Sequence, residues 1–249
     1  MKQIPASSSV EDYVKVIYGY TEWQDKPITS SQLATRLGVA NSSVSEMVRK
    51  LKDLGLVDHQ PYSAIRLTEA GLALALSMVR RHRLLETYLV QELGYAWDQV
   101  HDEAEQLEHA VSATFIDRMA TKLGNPTRDP HGDPIPDASG HITMPPSHPL
   151  GDLDPGHRGR ISRISDHDPA LLRYLGAHGI GVGTPVTVVG RRPFGGPLEV
   201  LSGADDAGID LSDEVVAALW VASTGAHDGC TVPDRAGGTL MAGHPAAQP

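Results

Sequence analysis

Between Arg80 and Met119 the chain places His82 and Glu86, then His101, Glu105, Glu108 and His109, in sequence that reads as helix. Residues four apart share a helix face, so His82 and Glu86 can chelate one cation. At about 100° per residue, His101, Glu105, Glu108 and His109 fall within an arc of roughly 100°. A single His–Glu pair is usually a solvated polar face. Two such clusters, one turn apart across Leu93–Gly94–Tyr95, point instead to metal ligation. A helical di-metal carboxylate enzyme would need Glu-x-x-His pairs from two helices. The spacing here is Glu105-x-x-Glu108–His109, and neither HExxH nor HxxEH occurs, so an enzyme of that kind fits less well than a binding protein.

The elements that must position these donors can be read in both directions along the chain. Periodicity predicts long helices over 68–91 and 98–123, the second ending at Gly124–Asn125–Pro126. Its stripe of Ala104, Leu107, Val111, Phe115, Ile116 and Met119 suits either a second subunit or an intramolecular core. Upstream, residues 8–24 read as a helix with Val10, Tyr13, Val14, Ile17 and Tyr20 at helical spacing. Asp12 lies near its start, where the helix dipole favours a carboxylate.

A helix over 29–37, the Gly38 turn and a second helix over 41–55 then form a helix-turn-helix. Residues 56–59 and 64–68 read as a two-stranded wing around Gln60–Pro61–Tyr62–Ser63. The second helix opens with small polar residues suited to close approach at a groove. Ser42, Ser43, Glu46 and Arg49 are its candidates for base-edge or phosphate contact, and Lys50, Lys52 and Arg66 for phosphate contact. The formal charge of −10 does not exclude DNA. Residues 1–75 carry eight basic and eight acidic side chains, 76–124 five and eight, and 125–249 eight and fifteen. The excess acid lies away from the helix-turn-helix, and in 76–124 it coincides with donors that a divalent cation would neutralise.

The rest divides by composition. Residues 125–157, rich in Pro, Gly, Asp and His, read as a linker, with His131, His141 and His148 expected in solvent. Short strands and glycine turns around one small helix over 158–225 predict an SH3-like barrel. Gly179, Gly181 and Gly183 do not make a dinucleotide fingerprint, because its third glycine falls on Thr184. Residues 226–249 are Gly/Pro/Ala-rich and are expected to lack order. The expected organisation is therefore 1–75 winged helix-turn-helix, 76–124 helical dimerisation and metal-binding domain, 125–157 linker, 158–225 SH3-like domain and 226–249 tail. The fold class is mainly α with a β module. No run of about 18 apolar residues predicts a membrane span, the start lacks a signal peptide's apolar core, and the one cysteine, Cys230, leaves no internal disulfide. These features lead to the expectation of a cytoplasmic protein.

The winged helix, the His-x3-Glu helix and the run Val100–His109 (VHDEAEQLEH) together resemble the diphtheria toxin repressor family of metal-dependent transcriptional repressors. His131–Gly132–Asp133–Pro134–Ile135–Pro136 and the barrel resemble its three-domain members. The resemblance covers roughly residues 8–225 and implies a homodimer that binds palindromic double-stranded operator DNA when metal is bound. It implies a first metal site of His82, Glu86 and His101, to which the barrel adds ligands near Asp166–Ala170, with His167 or Asp168 as the candidates. It implies a second site of Asp12, Glu105, Glu108 and His109. In the iron branch the positions of Asp12 and Glu105 hold methionine and cysteine, whereas the manganese branch has Asp and Glu. All-oxygen and imidazole donors suit Mn²⁺, so the resemblance implies a manganese-dependent repressor, with an iron-dependent one as the alternative. Lys15 stands where short manganese regulators carry a metal-bridging glutamate, which implies two separated sites rather than a bridged pair.

Overall fold

The computed structural model describes residues 7–24, 26–60, 63–203, 205–224 and 239–240. Three helices, α1 (Ser8–Glu22), α2 (Ser30–Leu37) and α3 (Asn41–Asp53), precede the antiparallel pair β1 (Val57–Asp58) and β2 (Arg66–Leu67). Thr29 and Gln32 form a reciprocal capping box at the start of α2, and Gly38, at φ 64°, ends the helix in the left-handed region. Val14, Ile17, Leu33, Val44, Leu51, Leu56 and Ile65 bury the apolar faces of these elements in one core. This unit is the winged helix-turn-helix read from the sequence.

Thr68 caps α4 (Glu69–Leu93) through a bond from the Gly71 amide. A Cβ at Gly71 would collide with the Leu56 carbonyl, so only glycine lets α4 start this close to the wing. α4 then packs against α1 and against α5 (Val100–Leu107). The single helix expected over 98–123 is two. α5 ends at Leu107, and Ser112 accepts a bond from the Phe115 amide to cap α6 (Ala113–Lys122). Leu84, Leu85, Ala104, Ile116, Met119 and Ala120 form the core here, while Leu93 and Phe115 remain exposed.

The stretch after α6 is irregular yet packed. His131 is fully buried and His148 nearly so, contrary to the expectation of solvated histidines. The physical reason is local: an Asp129 carboxylate oxygen accepts from the amides of His131 and Asp133 and closes a tight turn. Gly132, at φ 92°, has no room for a Cβ against the Ser162 carbonyl, which sets the turn directly on the following domain.

That domain is a six-stranded antiparallel sheet. In order across the sheet it comprises β4 (His148–Pro149), β9 (Leu219–Ser223), β5 (Arg158–Ile164), β6 (Pro185–Arg191), β7 (Leu198–Ser202) and β8 (Ala207–Leu211). The helix α7 (Pro169–Ala177) covers its core through Leu172 and Leu175, and the short α8 (Asp213–Ala217) leads into β9. β4 and β8 escape sequence reading: the first is two residues long, and the second buries only Leu211. Within the segment expected to lack order, β10 (Thr239–Leu240) pairs with β3 (Ile142–Thr143). The rest of that tail, with Cys230, and Pro61–Tyr62 of the wing lie outside the described residues. Among the described residues, no helix is long and apolar enough to cross a membrane.

Candidate metal centre

His82 and Glu86 project from one face of α4 toward His101 of α5. The His82 Nε2 lies 3.1 Å from Glu86 Oε1 and 3.2 Å from His101 Nδ1. Asp166, just past β5, closes the group, with Oδ2 3.1 Å from His101 Nδ1. Donor atoms of His82, Glu86, His101 and Asp166 all lie within 4.8 Å of one another. The barrel thus contributes Asp166, in place of the expected His167 or Asp168. His167 is exposed and its Nε2 lies 3.3 Å from the Arg36 guanidinium. Asp168 caps α7 by accepting from the Ala170 amide, with Pro169 at the first helical position.

The electrostatics of this cluster are those of concentrated, buried acid. Burial works against the charged form of His82, yet Glu86 and the hydrogen bonds to Glu108 and Glu86 outweigh it and raise the imidazole to about 9. Burial likewise opposes protonation of His101, but bonds to Asp166 and Glu86 push it to about 11. Glu86 is held low, because the charge on His82 and bonds from both histidines outweigh its burial. These imidazoles hold protons in the place a cation would take.

A buried extension touches the same carboxylate. Glu86, Asp129 and His131 also bring donor atoms within 4.8 Å of one another. His131 Nε2 lies 2.8 Å from the Trp97 carbonyl and donates to it, so a neutral ring would present its Nδ1 lone pair toward Glu86. That Nδ1 and Glu86 Oε2 are both buried without a hydrogen-bond partner, an arrangement that ordinarily costs about 1–3 kcal/mol per group. Aimed donors of this kind fit a cation. Asp129 is raised far above the carboxylate range by burial and by Asp133 and Glu86. The sequence reading sets His131 in solvent, places the barrel's ligands near Asp166–Ala170 without choosing Asp166, and gives no sign of Asp129, because an irregular loop carries no spacing signal.

The second cluster joins α1 to the end of α5. His109 Nε2 lies 2.8 Å from Asp12 Oδ1 and 3.6 Å from Glu108 Oε1, and the donors of Asp12, Glu108 and His109 converge within 4.8 Å. Glu11, also unforeseen, holds His109 from behind, 2.8 Å from Nδ1; a carboxylate on the far nitrogen of a histidine fixes its tautomer for ligation. Glu105 is set differently. It converges with His82 and Glu108, and its Oε1 lies 2.6 Å from Lys15 Nζ, which is also 2.6 Å from Glu108 Oε1. Glu108 Oε2 reaches His82 Nδ1 at 2.7 Å. Glu108 is therefore the one carboxylate shared between the two clusters, and the four residues read as one arc divide between them.

On the other face of the N-terminal domain, Ser42, Ser43, Glu46, Arg49 and Lys50 are exposed along α3. Lys52, also exposed, donates to the His59 carbonyl at 3.1 Å and ties α3 to the wing, where Arg66 is exposed opposite Asp58. The surface is open and polar, as a groove reader requires.

Comparison with known proteins agrees with this layout. Residues 6–65 match the iron dependent repressor N-terminal DNA binding domain, 68–137 the iron dependent repressor metal binding and dimerisation domain, and 148–223 the FeoA domain. A solved manganese-dependent transcriptional repressor in complex with manganese is 49% identical, with a TM-score of 0.83 over 86% of this chain and 99% of that one. The diphtheria toxin repressor of Corynebacterium efficiens is 30% identical over 74% of this chain and 84% of its own length. The iron-dependent repressor IdeR of Mycobacterium tuberculosis is 37% identical over 51% of this chain and 55% of its own length. With its winged helix, paired donor clusters and SH3-like FeoA module, the chain belongs to the diphtheria toxin repressor family of metal-dependent transcriptional repressors, which are DNA-binding proteins and not enzymes.

Proposed function

We propose that this chain is a manganese-activated repressor that acts in the cytoplasm as a homodimer on palindromic operator DNA and so controls metal-ion homeostasis. The observation that carries the reading is the donor set around α1 and α5. Asp12, Glu108 and His109, with Glu105 beside them, offer only carboxylate oxygen and imidazole, donors that suit Mn²⁺ better than softer, sulfur-seeking ions. The likeness to a manganese-dependent repressor supports it.

When bound, Mn²⁺ supplies the positive charge that lets neighbouring carboxylates stay ionised and close together. Asp12 comes from the DNA-binding domain, Glu108 and His109 from the end of α5. Holding one cation, these three residues would fix the angle of α1 against α5, and with it the position of α3. In a dimer, this sets two recognition helices one DNA turn, roughly 34 Å, apart. His82, Glu86, His101 and Asp166 would hold a cation in the same way between the helical domain and the barrel. Activation requires only that the DNA-competent arrangement hold the cation more tightly than the alternatives.

An iron-activated repressor is the second reading, favoured by the iron-dependent relatives. Operator affinity measured with Mn²⁺, Fe²⁺ and Zn²⁺ at equal buffered free concentrations separates them. Affinity order alone would rank Zn²⁺ above both; the manganese reading requires full operator binding at a free Mn²⁺ concentration where Fe²⁺ gives little. Equal or stronger activation by Fe²⁺ would replace it with the iron reading.

A further inference from the structure

Beside the donor clusters, all three domains meet at one carboxylate oxygen. Asp133 Oδ1 accepts from Trp23 Nε1 at 2.8 Å, from Arg163 Nε at 2.7 Å and from Arg83 Nη2 at 3.4 Å. Trp23 follows α1 in the DNA-binding domain, Arg83 lies on α4, and Arg163 lies on β5 of the SH3-like module. Arg163 also lies in the angle of two rings whose planes are tilted 52° to each other. Its guanidinium carbon is 4.6 Å from the Trp23 ring centroid and 4.2 Å from that of Trp220 on β9. The two indoles are themselves 5.6 Å apart. Glu22 completes the group with bonds of 2.8 and 2.6 Å from Arg83.

The group is nearly dry and balanced in charge. Asp133, Arg163 and Arg83 are no more than 9% exposed, and the Glu22 carboxylate is 2% exposed. Two guanidinium groups face Glu22 and Asp133; Asp129, 3.6 Å from Arg83 Nε, is a third carboxyl group that burial pushes toward its neutral form. A guanidinium can lie over two tilted rings while its Nε donates to Asp133; a lysine would keep the charge and lose that fit. Its position matters as much as its chemistry. Arg163 precedes Asp166 by three residues, Arg83 adjoins His82, and Glu22 ends the helix that carries Asp12 and Lys15.

We propose that Arg163 is a positioning residue of the repressor: held by Trp23, Trp220 and Asp133, it locks the DNA-binding domain to the SH3-like module and couples the Asp166 cluster to α1. The proposal rests on the chain being a metal-activated repressor, and not on which metal activates it. Its consequence is that loss of the Asp166 ligand is felt at the operator only while the clasp is intact. Coupling of this sort is established by a mutant cycle rather than by proximity.

The test uses the full-length chain, with Mn²⁺ and, anaerobically, Fe²⁺ as probes. The free-metal midpoint for operator binding is measured for wild type, Asp166→Ala, Arg163→Lys and the double variant. Metal uptake without DNA is followed in parallel. Asp166→Ala is expected to raise the midpoint about tenfold in the wild-type background and less than twofold with Arg163→Lys. Arg163→Lys alone is expected to raise the midpoint while uptake at the Asp12 cluster without DNA persists. Trp220→Leu, which leaves every ion pair in place, is expected to repeat the result and substitutes if Arg163→Lys does not fold. Equal effects of Asp166→Ala in both backgrounds would overturn the coupling. Metal-independent operator binding by the wild type would instead overturn the repressor reading on which it stands.

Discussion

The Lys15 ammonium lies 2.6 Å from a carboxylate oxygen of Glu108, a residue with a fully buried side chain. It is equally close to Glu105. Burial disfavours its charge, but the two carboxylates more than compensate, and its pKa is raised. The chain thus carries its own cation beside the carboxylates of the two donor clusters. Lys15 separates the clusters, and it also competes for Glu108 and Glu105 with any metal that needs them.

Lys15→Ala should therefore lower stability without metal and strengthen metal uptake. Glu108 would keep its bond to His82 but lose the ammonium, as would the partly exposed Glu105, and the lost pairing should cost roughly 1–3 kcal/mol at the buried carboxylate. Thermal melts with and without Mn²⁺ should show a lower Tm for the metal-free variant and a larger rise on metal addition than in wild type. Titration should show affinity at the Asp12 cluster increased about tenfold.

The three neighbours at the entry to α7 should separate cleanly. Asp166→Ala removes a donor 3.1 Å from His101 and should weaken metal at the His82 cluster by about 10–100-fold, the range typical for groups that hold ligands in place. Asp168→Ala removes a helix cap and should cost about 1 kcal/mol in stability with no change in metal affinity. His167→Ala should change neither. Isothermal titration and thermal melts on the three variants check this.

Why Asp166 was missed shows what was legible. The helical donors His82, Glu86 and His101 announce themselves by spacing, and the family pattern adds Asp12. Asp166 stands in a loop whose register against the helices is set by the Asp129 turn and by Gly132 lying on Ser162, and neither has periodicity. The Asp168–Pro169 pair carried the commonest helix-start signature and could have been assigned to capping, leaving Asp166 as the free carboxylate. His131 was misjudged for the same reason: its surroundings look solvated in sequence and are buried by contacts from distant segments. The break between α5 and α6 hid because apolar spacing continues through it; Ser112 was the only local mark. The winged helix is legible, since the Thr29–Gln32 capping box, the glycine turns and the apolar periods agree there.

Metal uptake should release protons. His82 is raised to about 9 and His101 to about 11, so both are protonated at pH 7 before ligation, whereas a ligating imidazole must be neutral. Affinity at this cluster should rise as pH goes from 6 to about 9, and calorimetry in buffers of different ionisation enthalpy should detect the released protons. Stability without metal runs the other way. A raised histidine pKa contributes stability that is fully present below its ordinary value of 6.5 and is lost as pH rises through about 9. Metal-free protein should melt lower at pH 9 than at pH 6, and metal-loaded protein should show the smaller difference.

On the DNA side, Arg49 and Lys50 are exposed on α3. Lys50→Ala should weaken operator binding across sequences and reduce the slope of log affinity against log salt by about 1. Arg49→Ala should cost about 1–3 kcal/mol, with part of that loss confined to the specific operator if Arg49 reads a base edge. Fluorescence anisotropy over a salt series, with operator and scrambled duplexes, distinguishes the two roles.

The central claim is that ligation of Asp12 together with Glu108 and His109 turns the DNA-binding domain to its operator. Operator binding measured against buffered free Mn²⁺, for wild type and Asp12→Ala, tests it most directly. The account predicts that Asp12→Ala raises the Mn²⁺ midpoint at least tenfold while the folded dimer persists. Operator binding by Asp12→Ala at the wild-type Mn²⁺ midpoint would contradict it.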